Sequence, residues 1–173
     1  KYPEKEDDRW IYIPAVDLVR RVAASDKRSS FVGSDFTYED ISGRDPSADT
    51  HTLLREDKLG ANDCHVIQST PKETLDYVRR IAWIDKTTYL PRKEEYYDVQ
   101  HELARVFTAD KIEMVTPGGG SGAIPTVTKR TMRNVKSGHR TEVTFKSVSF
   151  NVGLTDDIFT ERYLRQPPSK WIP

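Results

Sequence analysis

The sequence predicts an antiparallel all-β fold, a meander of successive hairpins lying in one sheet. Three observations carry this. Apolar and polar residues alternate with a period of two over most of the chain. Turn-forming residues recur roughly every eight to twelve positions. Only the stretch from Thr155 onward breaks the alternation. Consecutive antiparallel strands joined by short turns usually lie side by side, which makes a meander the simplest topology.

Each element follows from its residues. Trp10–Ile13 reads as a short strand stopped by Pro14, and Pro14-Ala15-Val16-Asp17 turns the chain into Leu18–Val22. From Ser25 to Asp49 the sequence is rich in Ser, Gly and Asp and has no period. A stretch that long marks a functional or packed loop, with a helical turn at Tyr38–Ile41. Thr50–Leu59 and Cys64–Thr70 pair across Gly60-Ala61-Asn62-Asp63, and Tyr77–Ile84 pairs with Tyr89–Tyr97 across Asp85-Lys86-Thr87-Thr88. Glu102–Met114 follows the turn Asp98-Val99-Gln100-His101. Ile124–Val135 and His139–Phe150 form the last hairpin, where Gly138 supplies a backbone conformation that other residues avoid. Val143 and Phe145 share one parity and Val148 and Phe150 the other, which predicts a bulge near Ser147. At the end, Asp156 and Asp157 precede Phe159 and Tyr163 at helical spacing. Acidic residues suit a helix N-terminus and the aromatics share one face, so a short helix is expected to pack there through Phe159, Tyr163 and Leu164. Pro167 and Pro168 stop it.

Composition bounds the function. A chain of 173 residues is one domain's worth. Hydrophobic residues make up 36% and charged residues 31%, a polar balance for a folded domain. No stretch approaches roughly 18 consecutive apolar residues, so no transmembrane helix is expected. The 27 basic and 27 acidic residues cancel, which leaves no global field for nucleic acid. The basic pairs Arg20-Arg21, Arg79-Arg80 and Lys129-Arg130 alternate with acidic residues, and no nucleic-acid partner is expected. Cys64 is the lone cysteine, so no internal disulfide forms. The chain begins at Lys1 without an initiator Met and reads as a mature or truncated product.

The chemical motifs weigh against catalysis. The run Pro117-Gly118-Gly119-Gly120-Ser121-Gly122 is a hairpin loop or an inserted linker; the strand pattern resuming at Ile124 favours the loop. No Gly-Lys-Ser/Thr follows it, which excludes a phosphate loop, and Ala123 breaks a nucleophile-elbow pattern. His51, His65, His101 and His139 show no metal-ligand spacing. Glu94, Glu95, Asp98 and Glu102 form an acidic hairpin, but Arg92, Lys93 and Arg105 interleave with them as on a solvated, ion-paired strand face. More informative is the apolar load on otherwise charged strands: Trp10, Tyr12, Ile81, Trp83, Phe107, Met132, Val143 and Phe145. A sheet with one apolar face must cover it. These residues are either an ordinary core or the lining of a concave groove for a hydrophobic ligand.

Three strings taken together resemble a known family. They are Trp10-Ile11-Tyr12-Ile13-Pro14 followed by Leu18-Val19-Arg20-Arg21-Val22, the block Gly33-Ser34-Asp35-Phe36-Thr37-Tyr38-Glu39-Asp40, and the tail from Gly138-His139-Arg140-Thr141 through Asn151-Val152-Gly153-Leu154 to Phe159-Thr160-Glu161-Arg162-Tyr163-Leu164. Between them lies Trp83-Ile84-Asp85-Lys86-Thr87-Thr88-Tyr89-Leu90-Pro91. The chain thereby resembles the outer membrane lipoprotein-sorting protein family of the LolA-like superfamily, as one domain over residues 1–173. The resemblance implies a mainly β fold: a curved antiparallel sheet forming an unclosed β-barrel, with a short C-terminal helix and a long covering loop. Asp35, Phe36, Tyr38, Glu39 and Asp40 would fix that loop over the sheet. Family members carry an N-terminal signal, a helix and early strands ahead of the Trp10 strand, and these are expected to be lacking here. An open sheet edge would then invite strand addition or a dimer.

The function this implies is a non-enzymatic carrier or chaperone in the periplasm of the bacterial cell envelope. It would bind lipid or lipoprotein acyl chains in the apolar groove, with no catalytic residues, no cofactor and no metal. The alternative is an interaction module that docks onto an envelope lipid or efflux transporter of the resistance-nodulation-division type without a ligand of its own. An enzyme built on the acidic hairpin would need two of its carboxylates to converge on a cleft.

Overall fold

The computed structural model describes residues 8–118, 120 and 122–170. Gly119 and Ser121 of the glycine run lie outside the described residues. In chain order the strands are β1 (Arg9–Ile13), β2 (Leu18–Val22), β3 (Asp49–Leu59), β4 (Asn62–Pro71) and β5 (Tyr77–Asp85). They continue with β6 (Pro91–Asp98), β7 (Leu103–Val115), β8 (Ile124–Asn134) and β9 (Arg140–Thr144). The α-helices are α1 (Tyr38–Ser42) and α2 (Glu161–Arg165). No helix among the described residues is long and apolar enough to cross a membrane.

The chain divides into two compact units, residues 1–29 with 151–173, and residues 30–150. In the first, β1 and β2 form an antiparallel hairpin with Trp10 opposite Arg21 and Tyr12 opposite Val19. The turn is a 3-10 turn opened by Pro14 and closed by Asp17 in the left-handed region, φ +47°. Helix α2 lies against this hairpin, and Arg165 reaches Asp17 at 3.0 Å. The single terminal helix expected from Thr155 is instead two pieces. Asp156–Phe159 forms a 3-10 turn, and Thr160 is extended (φ −111°, ψ 157°) before α2 begins. That break separates Phe159 from Tyr163, and Phe159 is 69% exposed rather than packed.

The second unit is built on a seven-stranded antiparallel sheet in the order β3-β4-β5-β6-β7-β8-β9. Each strand pairs with its sequence neighbours, and β3 and β9 stand at opposite edges, so the sheet is not closed into a barrel. The meander arises from local turn chemistry. Gly60 (φ +62°) and Gly138 (φ +73°) occupy left-handed positions in the β3–β4 and β8–β9 turns. The Asn134 side chain accepts from the N–H groups of Lys136 and Ser137. Register shifts fall in most of the ladders, among them Tyr77/Arg79, Tyr96/Tyr97 and Ala109/Lys111. Such bulges bend and twist a sheet, which curves this one. The last strand is shorter than expected: β9 ends at Thr144, opposite Lys129. The parity change after Phe145 is therefore the end of the ladder, not a bulge near Ser147.

Apolar residues gather on both faces of the sheet. One cluster holds Phe36, Leu75, Tyr77, Tyr96, Phe107 and Met132. The other holds Cys64, Val66 and Trp83, with Leu59 and Ile81 against it. Burial pushes the Cys64 thiol up, which keeps it protonated and poorly nucleophilic at neutral pH.

The β5–β6 turn is organised by Asp85, a buried carboxylate. It accepts from the N–H groups of Thr87 and Thr88 at 2.8 and 2.9 Å and from Arg92 Nε at 2.9 Å. Burial alone would raise its pKa, but the two N–H groups and Arg92 outweigh it and hold it below its ordinary value of 3.8. A carboxylate depressed in the folded state stabilises fully above its unfolded pKa, and that contribution fades as pH falls through the folded value. Wild type is therefore expected to lose stability on acidification below about pH 4, while Asp85→Asn, less stable at pH 7, shows a flatter curve there. Thermal unfolding across pH 2–7 checks this; parallel curves would remove Asp85 from the acid response.

Candidate concave binding site

The segment from Ser30 to Ala48 connects to the sheet unit's first strand and folds over one face of that sheet. Its local structure is dictated by short polar residues. Ser30 bridges to Thr37. Thr37 then caps α1 reciprocally: its hydroxyl accepts from the Asp40 N–H, and Asp40 accepts from the Thr37 N–H. Arg44 follows, pairing with Glu39 at 3.1 Å and Asp49 at 2.8 Å. His51 ties the 3-10 turn Pro46–Ala48 to β4 through the Pro46 carbonyl and Ser69.

Three contacts hold the Asp35–Asp40 part of the segment on the sheet. Phe36 is 1% exposed and inserts among Leu75, Tyr77, Tyr96, Phe107 and Met132. The Asp35 N–H donates to Thr141 Oγ1 at 3.0 Å, and the Asp35 carboxylate accepts from the same hydroxyl at 2.8 Å and faces His139 Nδ1 at 2.7 Å. Arg105 on β7 donates to Asp40 Oδ2 at 2.7 Å.

Between this segment and the sheet lies a cavity of about 400 Å³. Its apolar surface comes from Phe36, Phe107, Val127 and Met132, with Leu90 and Pro91 on one side. Tyr77 and Tyr96 also line it. Burial pushes the Tyr77 hydroxyl up to about 12 and raises Tyr96 as well, so both remain protonated donors. Most of the charged lining is arranged in pairs. Arg80 meets Glu94 at 3.2 Å, Glu94 also accepts from the Tyr96 hydroxyl at 2.9 Å, and Glu39 is held by Arg44. Arg130, also in the lining, stacks over Phe36 and Phe145 at 5.3 and 5.4 Å. Burial lowers its pKa, with Asp40 opposing.

The residues expected to line a groove separate into three places. Phe107 and Met132 line the cavity, Val143 packs on the same cluster, and Phe145 is 42% exposed beside Arg130. Ile81 and Trp83 lie on the opposite face. Ala82 is paired with Glu94 and Glu94 with Phe107, so alternation turns the neighbours of Ala82 away from the cavity. Trp10 and Tyr12 are on β1 in the other unit, where the Tyr12 hydroxyl bonds Asp17 at 3.2 Å. Within the sheet unit, Ile81 and Trp83 thus do not share a face with Phe107 and Met132. Of the loop residues, Phe36, Glu39 and Asp40 line the cavity, Asp35 anchors to β9, and Tyr38 packs edge-on to Phe31 at 5.3 Å.

Arg44, Tyr77, Arg80, Tyr96 and Arg130 were not singled out as site residues from the sequence. Arginines and tyrosines among acidic residues read as a solvated face, and only cross-strand register brings them together. The acidic hairpin divides the same way. Glu94 faces the cavity, whereas Glu95 points to the other side and pairs with Lys93 at 2.6 Å.

A family model described as "-like: Uncharacterized protein" matches residues 1–166. No curated protein matches. The crystal structure of a DUF1329 family protein from Desulfovibrio piger ATCC 29098 is 32% identical, with a TM-score of 0.81 over 93% of this chain and 66% of that one. A putative outer membrane lipoprotein-sorting protein domain from Vibrio parahaemolyticus is 27% identical, TM-score 0.82, over 94% of this chain and 67% of that one. The LolA superfamily protein NE2245 from Nitrosomonas europaea is 21% identical, TM-score 0.55, over 90% and 67%, and supports the fold. The chain spans about two thirds of the length of these structures. An open, curved antiparallel sheet with one face covered by a loop is the LolA-like fold. By the match over residues 1–166 the chain belongs to the family that model describes, and its fold is LolA-like, shared with the outer membrane lipoprotein-sorting protein domain.

Proposed function

We propose that the chain is a non-enzymatic periplasmic carrier that shields acyl chains of lipid or lipoprotein on the concave face of its sheet. The observation that carries this reading is the cavity beneath the covering segment, with an apolar floor of Phe36, Phe107 and Met132. The likeness to an outer membrane lipoprotein-sorting protein domain supports it. The mechanism is shielding: each buried methylene contributes about 0.8 kcal/mol, so a chain is held out of water yet remains transferable to a better acceptor. Organic-solvent extraction of the purified protein followed by lipid mass spectrometry, against a mock preparation, tests this. A stoichiometric lipid is expected, and a protein that extracts empty and takes up no added lipid overturns the reading.

A second reading is favoured by the sheet edge. Strand β3 stands at that edge with Leu53 and Leu54 exposed, a surface suited to strand addition by a partner or a second copy. In that reading the chain is an interaction module for an envelope transporter of the resistance-nodulation-division type. An empty protein that cross-links to such a transporter through β3 would replace the carrier reading with this one.

A further inference from the structure

Arg130 differs from the other arginines around the cavity. Arg44 is held by Glu39 and Asp49, Arg80 by Glu94, and Arg105 by Asp40. Among the described residues Arg130 has no carboxylate within 4 Å, and its Nε is buried with no hydrogen-bond acceptor. The nearby acidic group is committed elsewhere: Asp40 serves Arg105 and the Thr37 N–H. A partly buried cation without an anion is costly to maintain, so its retention in the cavity lining calls for a counter-charge.

Its surroundings define what that counter-charge belongs to. The guanidinium sits between Phe36, fully buried, and Phe145, half exposed. It therefore marks the border between the apolar interior and water. Met132, two residues along β8, faces the same cavity. We infer that Arg130 is the head-group anchor of this cavity, and that its ligand is a single-chain amphiphile with an anionic oxygen head, its tail running along Phe107 and Met132. The inference rests on the carrier reading and narrows its ligand. A volume of about 400 Å³ is in the range of sites for one small ligand. A guanidinium is a planar fork that pairs bidentately with a carboxylate or a phosphate, and the two phenylalanine rings hold its plane in position.

Titration calorimetry of the 173-residue chain with dodecanoate and dodecyl phosphate, each below its micelle concentration, and dodecanol, below its solubility limit, tests this directly. The anionic probes are expected to bind about ten- to hundredfold more tightly than dodecanol, the span of a charge-assisted hydrogen bond. Comparing the two anions separates a fatty-acid head from a phospholipid-type head. In R130Q, shown to be folded by circular dichroism, the anionic probes should lose their advantage over dodecanol. R130K, which keeps the charge and loses the fork, should retain part of it. Equal binding of dodecanol and both anions, or an undiminished preference in folded R130Q, overturns the inference and leaves the carrier reading standing. Failure of all three probes to bind overturns both. Should R130Q not fold, the wild-type comparison and R130K decide.

Discussion

Phe36→Ala is expected to destabilise the chain by about 3–5 kcal/mol, the range for truncating a buried Phe. Phe36 is the point at which an irregular segment enters the core. It is 1% exposed, and its ring meets Leu75, Tyr77, Tyr96, Phe107 and Met132 from above the sheet. The cavity already beside it leaves neighbours little reason to collapse into the vacated space, which puts the cost toward the upper end of that range. The loss should be local as well as global. Hydrogen exchange in residues 30–48 is expected to accelerate more than exchange in β5–β7, because the polar ties through Asp35 and Asp40 remain while the apolar anchor is gone. Urea unfolding with exchange mass spectrometry measures both. A loss under about 1 kcal/mol, the size of an ordinary point substitution, would mean that polar ties alone hold the segment.

How much of this was legible from sequence follows from which interactions are local. The hairpins were legible because alternation and turn chemistry are properties of a few adjacent residues. Gly60, Gly138 and the Pro14–Asp17 turn each specify their own backbone. Where the expectation missed, a local signal was interrupted. Thr160 adopts an extended conformation that splits the terminal helix, and the β9 ladder stops at Thr144. The site was less legible than the fold. Alternation states that Ile81 and Ala82 face opposite sides, but not which of them shares a side with Phe107. That depends on the pairing of Ala82 with Glu94 and of Glu94 with Phe107, with bulges within β5, β6 and β7. One residue of slip moves a whole strand's side chains to the other face. The Ser34–Asp40 block could be noticed without its partners, but Thr141 and Arg105 lie far along the chain.

Polar residues explain why the cavity persists. An entirely apolar face on this sheet would draw the covering segment down until no space remained. Here Arg80–Glu94 and Glu39–Arg44 line the space with ion pairs that resist burial in a closed core. Apolar floor and charged walls together keep that volume open.

Arg105→Ala is expected to cost about 3–5 kcal/mol, because it strands one partner of a buried ion pair. The Arg105 and Asp40 side chains are 16% and 10% exposed and meet at 2.7 Å. The guanidinium also stacks on the Tyr96 ring at 4.5 Å. The single substitution leaves the Asp40 carboxylate largely desolvated, holding only the Thr37 N–H. Asp40→Asn is the complementary case. It keeps an acceptor for the α1 cap and strands the arginine instead. If the cost is desolvation of an unpaired charge, Arg105→Ala with Asp40→Asn should be more stable than the sum of the two single losses implies. A coupling of roughly 2 kcal/mol is expected from the double-mutant cycle, within the range for contacting pairs. Additive losses would show that the two residues act separately, Arg105 through Tyr96 and Asp40 through its cap. Because the pair fastens α1 to β7 over the cavity, its removal should also speed release of a bound chain. Off-rates for dodecanoate that rise in Arg105→Ala and recover in the double variant would tie the ion pair to closure of the cavity. Rates that stay flat across the cycle would confine its role to stability.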